Sequence, residues 1–192
     1  VHKKVFGTFH LTGYVVSPLM LLVLLTAVPA VLTPRGWHVP PWTIFAAFGP
    51  WLLYWLSRAS APESVGHKLT LLGSLILMGT GMAINNTKAI LEAVLGVPSA
   101  FERTPKFNIQ QTGEAWGGNQ YALPRDPVVW LEVAASAYAA VMVVIALQHD
   151  LWGLAPWLAL YALGFGWIAA LSFVQAWEQS RLRAARTAQA SW

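Results

Sequence analysis

The residues best suited to chemistry lie in Phe101-Glu102-Arg103-Thr104-Pro105-Lys106-Phe107, where two cations and a hydroxyl sit between aromatic rings. Pro105 removes a backbone donor and turns Thr104 away from helical angles, so the stretch reads as an extended loop. It belongs to a run from Val97 to Pro127 with little helical periodicity. A run of that length inside a compact protein is more often functional or disordered than a plain connector. Two readings follow from the residues alone: a ligand-binding loop, or a solvated loop whose Arg103 and Lys106 meet lipid phosphates at a membrane surface. Other candidates are sparse. The five histidines, His2, His10, His38, His67 and His149, are scattered without metal-ligand spacing. There is no cysteine, which excludes disulfides and thiolate chemistry. Glu132 is the one carboxylate set within an apolar run. An intramembrane acid is a functional candidate by default, although near Pro127 it has two other outlets, snorkelling to the surface or pairing with Arg125. No nucleophile elbow, phosphate loop or zinc motif is present, and Gly79 and Gly81 follow no strand that would make them a dinucleotide motif.

The elements that must carry these residues are apolar helices. Hydrophobic residues make up 56% of the chain and charged residues only 10%, with 11 tryptophans. Several apolar runs approach the roughly 20 residues a helix needs to cross a bilayer. The expected class is therefore an all-α integral membrane protein. The net charge of +4 does not point to nucleic acid, because the cations cluster at the ends of apolar runs, where membrane anchoring charges belong. In order, residues 1–13 read as an amphipathic lead-in on the membrane surface. Residues 14–57 read as a first pair of transmembrane helices, turning at the Pro- and Gly-rich stretch Thr33 to Pro41. Residues 66–96 form an interface or re-entrant helix. Its first half is rich in small residues (Gly73, Ser74, Gly79, Thr80, Gly81) that permit close packing. Its second half sets Ile84, Thr87, Leu91 and Leu95 on one face and Asn85, Lys88 and Glu92 on another, and is closed by Gly96 and Pro98. Residues 97–127 are the cytosolic loop, 128–177 a second transmembrane pair, and 178–192 a basic cytosolic tail with Arg181, Arg183 and Arg186.

Charge chooses between topologies. If all five apolar runs crossed with Lys3 and Lys4 inside, Lys88, Arg103, Lys106, Arg125 and the three tail arginines would lie outside. If the third run stays at the inner face, only Arg35 is outside and eleven of the twelve cations are inside. The positive-inside rule favours this second arrangement, with about four transmembrane helices.

Three segments carry a resemblance to a known family. They are Phe9-His10-Leu11-Thr12-Gly13-Tyr14 with Pro18-Leu19-Met20-Leu21-Leu22, then Met82-Ala83-Ile84-Asn85-Asn86-Thr87-Lys88-Ala89, then Phe101-x-Arg103-Thr104-x-Lys106. In order and spacing they resemble the C-terminal membrane region of family 2 glycosyltransferases of the cellulose-synthase-like and mannan-synthase-like kind, in bacterial form. The resemblance implies that the first segment opens the first helix after the catalytic domain, the second is the interface helix, and the third is the gating loop. In the family that loop closes over the nucleotide diphosphate. Phe101, Thr104 and Lys106 would lie near it, with Arg103, which replaces the family's valine, as a further contact. The family's metal-binding Asp-x-Asp, its catalytic base and its Gln-x-x-Arg-Trp motif are absent from this chain. The resemblance thus implies a fragment or split product, with no catalytic residue and no cofactor of its own. A divalent metal, Mg or Mn, is expected in an upstream catalytic domain. The implied partners are that domain, the lipid bilayer, a nucleotide sugar and a growing β-linked glycan, in a bacterial inner membrane. Two alternatives stay open: a glycolipid-forming transferase, and a non-enzymatic membrane scaffold or transporter-like protein.

Overall fold

The computed structural model describes residue 4 and residues 13–33, 48–60, 62–97 and 127–190. Every regular element among the described residues is helical. A 3-10 turn, Gly13–Val15, leads into α1, Val16–Leu25, and α2, Ala27–Leu32. Pro29 explains the break between α1 and α2. It has no N–H to give to the carbonyl of Leu25, four residues back. The hydroxyl of Tyr138 reaches that carbonyl at 3.5 Å, the long end of a hydrogen bond. A neighbour thus supplies the missing donor, which is how membrane helices tolerate proline.

The next helix, α3, is Phe48–Ser57. Ser64 then caps α4, Val65–Gly81, accepting the backbone N–H of His67 at 3.3 Å. After Met82 the chain bends by 45° into α5, Ala83–Val94. Gly96 ends α5 in the left-handed conformation, φ 66°. Its N–H bonds Ala93 and that of Val97 bonds Glu92, so both spare carbonyls are used. The stop expected at Gly96 is thus the observed one. Beyond Pro127 runs α6, Val128–Gln148. It closes in the same way, with Asp150 at φ 56° in the place where α5 has glycine, and Leu151 N–H bonding Ala146. The last helix, α7, is Ala155–Ala190, with Pro156 in its first turn, where a missing donor costs nothing.

The two long helices form an antiparallel hairpin. Ser136 on α6 donates to the Ala162 carbonyl of α7 at 2.8 Å, and the rings of Trp130 and Phe173 meet edge to face at 5.6 Å. Between them lie Ala139, Met142, Ala146, Leu158 and Phe165, all buried. Two further helical segments flank the hairpin. Gly81 and Thr80 of α4 lie against Gly164 of α7, and the following Asn85 reaches Glu132 on α6, so α4 runs parallel to α7. Ser17 of α1 lies at Asn86 and Leu25 at Tyr138, so α1 and α2 run parallel to α6. Leu24, Ala27 and Val31 complete the core from this side.

The small residues of α4 divide in two. A methyl group on Gly81 would fall 2.3 Å from the Gly164 carbonyl oxygen, while Gly73 and Gly79 face open space. By length and apolarity α6 and the Ala155–Arg181 part of α7 can each cross a membrane, and the bent pair α4–α5 adds a third crossing or a re-entrant loop. Among the described residues the count is two or three, where about four were expected. Val16–Leu32 is a shorter apolar stretch, in two pieces.

Candidate functional site

Glu132 is the centre of the site. It stands in the second turn of α6, facing α7, and is 2% exposed, among the most completely enclosed large side chains described. This removes the snorkelling reading, because the carboxylate points into the bundle. Arg125, the other partner considered from sequence, lies outside the described residues. Asn85 engages the carboxylate: its Nδ2 donates to Oε1 at 2.8 Å. A hydrogen bond to a charged group contributes about 1.5–3 kcal/mol, more than a neutral pair. The neighbouring Asn86 donates to Ser17 at 3.3 Å. The two adjacent amides therefore tie α5 to α6 on one side and α1 on the other. Sequence periodicity grouped Asn85 with Lys88 and Glu92 on the polar face. In the structure Lys88 is exposed, while Asn85 is half-buried.

A cavity of about 680 Å³ opens beside Glu132, between the start of α6 and the distal half of α7. Ser172, Gln175, Gln179 and Ser180 line it from α7, Asn85 from α5, and the rings of Trp130, Phe173 and Trp177 form its walls. Ser172 and Ser180 give their protons to Ile168 and Trp177 carbonyls, so both present oxygen lone pairs to the cavity. Arg181 lies over the Trp177 ring, 4.4 Å from its centroid. Among the described lining residues Glu132 is the sole ionisable group. One carboxylate, several amides and three rings have the composition of a polar binding site. Sequence reasoning found Glu132 as an acid in an apolar run, but missed Gln175 and Gln179. A pair of glutamines four residues apart near the end of the last apolar run was the available signal.

A second polar cluster sits where α3 turns into α4. Arg58 pairs with Glu63. Lys68, 8% exposed, donates to the Arg58 carbonyl at 2.8 Å and lies 5.8 Å from the Trp55 ring centroid. Both cations here are held by their surroundings.

Phe101, Arg103, Thr104 and Lys106 all lie outside the described residues, as do His2, His10 and His38. His67 and His149 are exposed near the starts of α4 and the α6–α7 turn. Among the described residues no three histidine, aspartate or glutamate side chains gather closely enough to hold a metal ion. Compared with protein families, curated proteins and solved structures, the chain matches none.

Proposed function

We propose that the chain is the membrane and gating part of a family 2 glycosyltransferase, working with a catalytic domain that transfers sugar from a nucleotide sugar to a growing β-linked polysaccharide. The divalent metal of that chemistry would be held by the catalytic domain. The observation that supports this reading is the behaviour of Met82–Ala89, one of the three segments carrying the resemblance. It forms the bend and the first turns of a separate helix, α5, fixed by Asn85 and Asn86 to the starts of α6 and α1. The chain enters residues 98–126 from α5 and leaves them at Pro127, which lines the same cavity as Asn85. A loop bearing Phe101, Arg103, Thr104 and Lys106 would thus work from one end of the bundle. That end is taken as the cytoplasmic one.

In this reading the membrane is crossed by α1–α2, α4, α6 and α7, with α3 at the far end. Nine of the twelve cations then lie inside, all but Arg35, Arg58 and Lys68.

The test uses the protein as its gene encodes it, in native membranes. A photoreactive nucleotide diphosphate should label the peptide between Pro98 and Asp126. Lys106→Ala should weaken labelling and sugar incorporation about ten- to a hundredfold, the worth of one charge-assisted hydrogen bond. Absence of labelling at any nucleotide concentration would favour the non-enzymatic scaffold instead.

A further inference from the structure

We infer that four exposed tryptophans anchor the bundle in the two interfaces of the bilayer, Trp130 and Trp177 at one end and Trp55 and Trp152 at the other, so that the cavity beside Glu132 opens among lipid headgroups. The inference rests on the membrane crossing in the proposed function and not on its chemistry. It begins with where charge stops. No residue is charged from Val133 to Leu147 on α6, or from Leu151 through the turn to Trp177 on α7. Two hydroxyls within that part of α6 are spent inside the bundle, Ser136 on the Ala162 carbonyl and Tyr138 on the Leu25 carbonyl. Outward, the same stretches present Val141, Val144 and Leu163, each more than half exposed. That surface suits hydrocarbon.

Length then sets the boundaries. Helical rise separates Trp130 from Gln148 by about 27 Å and Ala155 from Trp177 by about 33 Å. The hydrocarbon core is roughly 30 Å thick. The crossing part of α7, Ala155–Arg181, has 27 residues, about 40 Å, which is more than the core requires. Trp177 stands where the surplus begins, and Glu178 follows it. At the other end Trp152 lies in the turn between α6 and α7. Counting back along α4 from Gly81, in step with α7 from Gly164, places Lys68 near Leu151, and the Trp55 ring lies against Lys68. All four rings are exposed. An indole has an apolar body and one N–H, and settles where hydrocarbon meets headgroups. Each end also sets a cation on a tryptophan face, Arg181 on Trp177 and Lys68 on Trp55. Trp130 and Trp177 wall the cavity, so its mouth lies at headgroup depth and the Asn85–Glu132 contact just beneath.

The protein, whose 192 residues include no cysteine, is reconstituted in phosphatidylcholine vesicles with single nitroxide labels on introduced cysteines. Collisions with oxygen, which enters hydrocarbon, are compared with those of a water-soluble nickel chelate. Labels at Val141→Cys and Leu163→Cys should favour oxygen over the chelate at least tenfold more than labels at His149→Cys and Glu178→Cys. Trp130→Leu combined with Trp177→Leu keeps both positions apolar and removes their preference for the interface. A label at Val174→Cys, just inside that belt, should then sink, with chelate collisions falling several-fold. Trp167, also half exposed but midway between the belts, is the control, and Trp167→Leu should leave the Val174 label where it was. An unmoved Val174 label in the double variant, or an equal shift in Trp167→Leu, would overturn the anchoring while leaving the membrane crossing in place. So would a label at Glu178 as shielded from the chelate as one at Leu163. Labels at Val141 and Leu163 open to the chelate would overturn both the anchoring and the crossing.

Discussion

Each polar contact seen between helices among the described residues has a measurable consequence. Asn85 and Glu132 form the most enclosed of them. Truncating Asn85 to Ala removes a donor from a buried carboxylate and should destabilise the bundle by about 1.5–3 kcal/mol. Glu132→Gln, which still accepts from Asn85, should cost less. Comparing thermal midpoints of the two variants in detergent checks this; a larger loss in Glu132→Gln would show that the charge itself, and not the hydrogen bond, holds α5. The Tyr138 hydroxyl offers a second measurement. It serves the Leu25 carbonyl that Pro29 leaves without a donor. Tyr138→Phe should cost about 0.5–1.5 kcal/mol, and combining it with Pro29→Ala, which restores the helical donor, should recover most of that loss. Strict additivity of the two changes would break the link between them.

At the scale of helices, the decisive contacts are close approaches of backbone. Gly81 has no room for a side chain against Gly164, whereas Gly73 on the same helix has open space. Gly81→Ala should separate α4 from α7 at a cost of about 1–3 kcal/mol. Gly73→Ala should be neutral or slightly stabilising, since alanine is the better helix former. Similar losses at both positions would mean that α4 packs on a different face. The sequence showed a helix rich in small residues but could not say which of them met a neighbour, because periodicity assigns a face without naming what covers it. The end of α5 was legible for the opposite reason. A left-handed stop is local and glycine is its usual residue, so Gly96 could be read directly. The equivalent stop at Asp150 was not legible, since aspartate occurs at many other kinds of position. Nor was the inward turn of Asn85, which follows from a carboxylate 47 residues further along the chain.

For the whole molecule, the positive-inside count and the order of contacts agree on one point and part on another. Both put α5, the start of α6 and the basic end of α7 on the same side. They differ over α4. Counting cations alone kept residues 66–96 at the inner face, which left only Arg35 outside. The contacts run α4 alongside α7 in the same direction, with Asn85 fixed at the level of Glu132. Helical rise then carries the 17 residues of α4 about 25 Å away from that level. Its first residue would reach the end where α6 turns into α7, near His149 and Asp150. Arg58 and Lys68 would then lie at the far face. Unpaired cations there would weigh against such a topology, but Arg58 is paired with Glu63, and Lys68 is held by a carbonyl and an indole ring. The two arrangements forecast opposite results for one residue. Cysteine placed at Ser60, an exposed position just before α4, should react with a membrane-impermeant thiol reagent from the same side as cysteine at His149. Cysteine at Ala184 should react only from the opposite side. Should Ser60→Cys label together with Ala184→Cys, α4 is re-entrant, and the bend at Met82 returns the chain to the face from which it came.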